Sequence, residues 1–117
     1  MMNTSKKSRH VDADPKLRSI IAAIVRAVDP DKLILFGSRA RGADNTQSDY
    51  DILVLKRGVT NERIISRAAY RSLLDEGADA AVDIVVFDEE KFEAAKGRRG
   101  TILSEIAMTG MAVYERA

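Results

Sequence analysis

Two aspartates one residue apart, Asp49 and Asp51, open an apolar run that continues to Leu55. Twelve residues before Asp49, an earlier apolar run from Leu33 to Phe36 stops at Gly37-Ser38, with Arg39 and Arg41 just beyond. Side chains two apart on a strand share a face, so Asp49 and Asp51 project together while Tyr50 and Ile52 point the other way. Aspartate is disfavoured inside strands, and two like charges held side by side call for a cation. Mg²⁺ suits them, because it takes carboxylate and phosphate oxygens together. A Gly-Ser turn offers free backbone N–H groups to a phosphate, and Gly37 lets the backbone approach closely. A phosphate cradle beside a metal-binding carboxylate pair is nucleotide chemistry.

The run Gly37 to Gly42, followed by Ser48, Asp49, Tyr50 and Asp51, resembles the motif of the DNA polymerase β-like nucleotidyltransferases. The small stand-alone members, the minimal nucleotidyltransferases, are the nearest likeness, which runs from about Leu33 to Phe87. The family pattern is a Gly-Ser turn, Asp-x-Asp on the next strand, and a third carboxylate on a later strand. Asp83, within Ala81–Phe87, matches the third carboxylate. Asp79 is its rival but falls in a Gly-Ala loop. Such pairs arise by chance; the combination with the turn and the later acid is specific.

The resemblance implies a nucleoside monophosphate moving from a triphosphate to a hydroxyl, with pyrophosphate leaving. Asp49 and Asp51 would hold two Mg²⁺ ions, and Asp83 would complete the second site and take the hydroxyl proton. Ser38 and the backbone of its turn would hold the β- and γ-phosphates. Arg39 and Arg41 lie near the expected triphosphate, where planar guanidinium groups bind phosphate in pairs of hydrogen bonds. In a short helical turn only one of them can face the ligand. Ser48 either braces the turn before the carboxylates or is an ordinary loop serine.

Relatives of this type are commonly encoded beside a small all-helical HEPN toxin with RNase-type chemistry, and some add AMP to a toxin tyrosine. The reading is therefore an antitoxin that transfers AMP from ATP to a hydroxyl of a protein partner. Two alternatives stay open: a non-enzymatic antitoxin that neutralises by docking, and transfer to a small molecule or an RNA end.

Composition sets bounds on this reading. With 117 residues, 45% of them hydrophobic, the chain suffices for one domain with a modest core. Its 19 basic and 18 acidic residues leave a net charge of +1, which argues against direct nucleic-acid binding outside a local patch. Cysteine is absent, excluding a disulfide framework and fitting the cytoplasm. No apolar run nears the roughly 20 residues of a membrane span. His10, in the polar start of the chain, reads as solvated. The cluster from Lys96 to Gly100 reads as a solvated helix terminus, and Met108 and Met111 as core or interface packing. Tyr50, Tyr70 and Tyr114 read as half-buried scaffold residues.

The elements that must position these groups are legible in the pattern. Residues 1–13 read as a disordered basic tail and 14–117 as the domain. Leu17, Ile20, Ile21, Ile24, Val25 and Val28 recur at helical spacing, with Asp14 as cap, Pro15 in the first turn and Pro30 as the stop. Strands are expected at Leu33–Phe36, Tyr50–Lys56 and Ala81–Phe87, with a helix over Asn61–Asp75 between the last two. In that helix Ile64, Ile65, Ala68, Ala69 and Leu73 form one stripe. A helix capped by Asp88 runs to about Lys96. A last helix, Thr101–Met108, carries Ile102, Leu103 and Ile106. Gly110 turns into an edge strand, Met111–Glu115. Alternating strands and helices give an α/β fold with a mixed sheet of about four strands flanked by helices.

Overall fold

Helix α1 (Pro15–Val28) starts where the capping chemistry places it: Asp14 Oδ1 accepts from the Leu17 N–H at 3.1 Å, and Pro15 occupies the first turn. The computed structural model describes residues 14–37, 50–78 and 80–116. The basic tail and His10 lie outside them. After α1 the chain forms β1 (Lys32–Phe36), β2 (Tyr50–Lys56), α2 (Glu62–Asp75) and β3 (Val82–Asp88). Two short helices, α3 (Glu89–Ala95) and α4 (Ile102–Thr109), then lead to β4 (Met111–Glu115).

The four strands form one mixed sheet in the order β3-β2-β1-β4. β1 pairs antiparallel with both β2 and β4, whereas β2 and β3 run parallel. A parallel pair needs a long crossover, and α2 supplies it. This mixed four-stranded sheet flanked by helices is the architecture that the resemblance to the polymerase β-like nucleotidyltransferases implies.

Alternation along the strands divides the core into two layers. Leu33, Leu35, Ile52, Val54, Ile84 and Val86 face α1 and α2, where Leu17, Ile20, Ile24, Ala69 and Leu73 cover them. Ile34, Leu53 and Leu55 face the other way and meet Phe92 of α3 and Ile106 of α4. Both faces of β2 are therefore buried, and Ile52 through Leu55 are fully enclosed.

The α2 stripe is narrower than its spacing predicts. Ala69 and Leu73 are buried, with Ile65 and Ala68 packed against them, but Ile64 is 60% exposed. Ile64 lies on the flank of the stripe that the core leaves uncovered. In α4 Ile102 is exposed while Ile106 is buried, and Met108 is exposed rather than packed in the core.

Asp88 ties the far end of the sheet together. Its Oδ2 accepts from the Lys91 N–H at 3.1 Å, capping α3. Its Oδ1 accepts from the Gly58 and Val59 N–H groups at 2.9 and 3.2 Å, fixing the turn after β2. These donors, the Lys91 N–H foremost, hold its carboxyl below the usual aspartate range. A depressed folded pKa contributes stability that is present above the unfolded value and lost as pH falls through the folded one. The thermal midpoint of the wild-type chain should thus fall more steeply below about pH 4 than that of Asp88→Asn. Thermal melts across the acid range check this; parallel curves would remove Asp88 from the acid response.

Candidate active site

The parallel register of β2 and β3 sets Asp51 directly beside Asp83. Neighbouring strands are about 4.8 Å apart, so laterally paired side chains emerge on the same face at nearly that spacing. Asp51 precedes Leu53 and Leu55, and Asp83 precedes Phe87, all on the face covered by α3 and α4. Both acids therefore sit at the uncovered end of that face. Asp83 is exposed and Asp51 half-buried. Val85, next along the same face, is 45% exposed although its strand partner Leu53 is buried. α3 and α4 cover the opposite end and leave an open floor of Asp51, Asp83 and Val85.

On its other side Asp51 pairs with Phe36, the last residue of β1. The chain then turns at Gly37 with a φ of +79°, in the left-handed region. A Cβ built on Gly37 would overlap Asp51 Oδ2. Glycine is required twice over here, by the backbone angle and by the carboxylate lying against its Cα. The Gly-Ser turn and the Asp-x-Asp strand, apart in sequence, are thus in contact through Gly37 and Asp51.

Among the residues expected to carry chemistry, Gly37, Asp51 and Asp83 are described and brought together. Ser38, Arg39, Arg41, Ser48 and Asp49 lie outside the described residues, as does Asp79, the rival third acid. Among the described residues no group of three or more His, Cys, Asp or Glu side chains is gathered to hold a metal. Those residues contribute two adjacent carboxylates. This donor set fits a hard divalent cation: oxygen ligands only, of like charge, open on one side for phosphate. The cluster from Lys96 to Gly100 is exposed, and Lys96 pairs with Glu93 at 2.8 Å, the ordinary state of a solvated helix end.

The pattern of one strand, a Gly turn, a carboxylate on the next strand and a second carboxylate beside it bears comparison with known proteins. The family described as Nucleotidyltransferase domain matches residues 16–107. The chain belongs to that family.

Two solved structures agree with this nucleotidyltransferase domain in fold. One, described as a crystal structure of a toxin-antitoxin with AMP-PNP, is 22% identical with a TM-score of 0.56, covering 83% of this chain and 72% of that one. The other, a Sulfolobus solfataricus protein assigned as a nucleotidyltransferase, is 22% identical with a TM-score of 0.51, covering 84% of this chain and 88% of that one. A comparison with curated proteins gave no match.

The strand alternation missed two features of this domain. Val85 sits within a run of apolar residues, and nothing in the local pattern separates an exposed valine from its buried neighbours. Tyr50 was expected to be half-buried, yet it is only 3% exposed and hydrogen-bonded through its hydroxyl.

Proposed function

We propose that this nucleotidyltransferase moves AMP from ATP to a hydroxyl of a protein partner, as the antitoxin of a HEPN-type toxin. The contact of Gly37 with Asp51, and of Asp51's strand with Asp83, carries the reading. It gathers the turn at Gly37 and two carboxylates at one open sheet end. Membership of the nucleotidyltransferase family supplies the reaction class. Likeness to a toxin-antitoxin structure with AMP-PNP supports, in a distant relative, both the biological setting and an adenine nucleotide.

In this reading Asp49 and Asp51 would hold two Mg²⁺ ions, and Asp83 would complete the second site. Such ions would supply charge neutralisation on the triphosphate. The turn at Gly37 and Ser38 seats the β- and γ-phosphates, and one of Arg39 and Arg41 adds a guanidinium to them. Asp83 accepts the proton of the incoming hydroxyl. The hydroxyl oxygen bonds to the α-phosphorus, the bond to the β-phosphate oxygen breaks, and pyrophosphate leaves. The acceptor surface comes from the partner, and the proposed place of action is the cytoplasm, where ATP is available. No helix among the described residues is long and apolar enough to cross a membrane.

The test is a transfer assay with α-labelled ATP, Mg²⁺ and a purified HEPN-type candidate toxin, followed by intact-mass spectrometry. A nucleotide-sized increment on a hydroxyl of that protein is the expected result. Label on an RNA end or a small hydroxyl compound instead would overturn the protein acceptor. Neutralisation of the toxin without any label would favour docking.

A further inference from the structure

Tyr50 stands between Asp49 and Asp51, and its side chain points to the opposite face of the sheet. There it is 3% exposed, and its hydroxyl donates to Asp14 Oδ2 at 2.7 Å. The other oxygen of the same carboxylate, Oδ1, caps α1 through the Leu17 N–H. The Tyr50 N–H donates to the Ala81 carbonyl at 2.9 Å, just before Val82 and Asp83 enter the sheet. One residue thus fastens the beginning of β2 to the start of α1 and to the chain leading into β3.

We infer that Tyr50 is a positioning residue for the candidate metal-binding acids, acting through Asp14. The inference rests on the reading of Asp51 and Asp83 given under Proposed function. A phenylalanine would fill the same core volume, so the apolar layer alone does not call for a hydroxyl. A buried hydroxyl is costly unless a partner receives it, and here the partner is a carboxylate already committed to a helix cap. Asp51 is the second residue of its strand, a place where strands fray unless something holds the first residue. The phenol-carboxylate bond holds that residue from behind. It fixes the Cα positions of the acids without occupying any of the space in front of them. Outer partners that orient metal-binding side chains typically set affinity by factors of about 10–100.

Tyr50→Phe removes the bond from the strand side. Asp14→Ser removes it from the helix side, because serine still caps a helix but is too short to reach the phenol. Ile24→Val, in the buried face of α1, serves as a control for general loss of stability. Two readouts are needed, one of them free of metal. In the metal-free chain, the amides of residues 50, 51 and 83 should exchange faster in both test variants than in the wild type or the control. Calorimetry with Mg²⁺ and AMP-PNP should show roughly tenfold weaker binding in both test variants and an unchanged value in the control. Wild-type exchange rates together with wild-type affinity in Tyr50→Phe and Asp14→Ser would overturn the inference. A wild-type chain that binds no Mg²⁺-nucleotide would instead overturn the proposed function, and the exchange rates would still decide the role of Tyr50.

Discussion

Asp51→Asn should abolish nucleotidyl transfer while leaving the chain folded. The side chain is half-buried at the open end of the sheet, touching Gly37 and standing beside Asp83. Asparagine has the same shape, so the packing against Gly37 is kept. It removes one of two neighbouring like charges, which relieves repulsion in the free protein. It also removes the charge that a divalent cation needs, and that cation's contribution to the transition state is several kcal/mol. A loss of about 4 kcal/mol corresponds to roughly a thousandfold in rate. Label transfer and thermal melts on the same preparation check both halves. An active Asp51→Asn variant would take Asp51 out of the chemistry.

Gly37→Ala should lose both stability and activity. Its φ of +79° is strained for any residue with a Cβ, at a cost of about 1–3 kcal/mol. The added methyl would also displace the Asp51 carboxylate that lies against Gly37. A shift of about 1 Å in a reacting arrangement can cost roughly a hundredfold in rate. The overlap with Asp51 makes a specific claim about coupling between the two positions. In the double variant Gly37→Ala/Asp51→Gly the carboxylate is gone, so the steric part of the destabilisation should be relieved while the backbone strain persists and transfer stays absent. Additive melting temperatures across the cycle would show that the two residues do not touch.

Much of this arrangement was legible in the sequence because local chemistry and global fold agree. Asp14 with Pro15 marks the start of α1, and Asp88 marks α3; in both cases the cap hydrogen bond is where the residue types place it. The apolar run of β2 reads as a strand, and it is one; that it is buried on both faces is seen only in the fold. Strand pairing was less accessible. That Asp83 falls level with Asp51, rather than one residue above or below, depends on the register of a parallel pair formed across the whole of α2. No local signal encodes that register; the expectation that the acids meet came from the family resemblance. Exposure of Ile64, Ile102 and Met108 was hidden for a related reason. Helical spacing marks an apolar stripe, but the width of the sheet beneath decides how much of the stripe is covered. Tyr50 shows a third limit, since an aromatic in a strand reads as half-buried scaffold whether or not its hydroxyl has a task. Its partner, Asp14, is 36 residues away and visible in the sequence only as a helix cap.

In the proposed site Asp51 and Asp83 together face a divalent cation and the triphosphate it carries. Crystals grown with AMP-PNP and Mn²⁺, measured at a wavelength where manganese scatters anomalously, would reveal that arrangement. Anomalous peaks in contact with the carboxylates of Asp51 and Asp83, with the triphosphate lying along the turn at Gly37, are the predicted result. Manganese and nucleotide bound elsewhere, with both carboxylates touching neither, would contradict it.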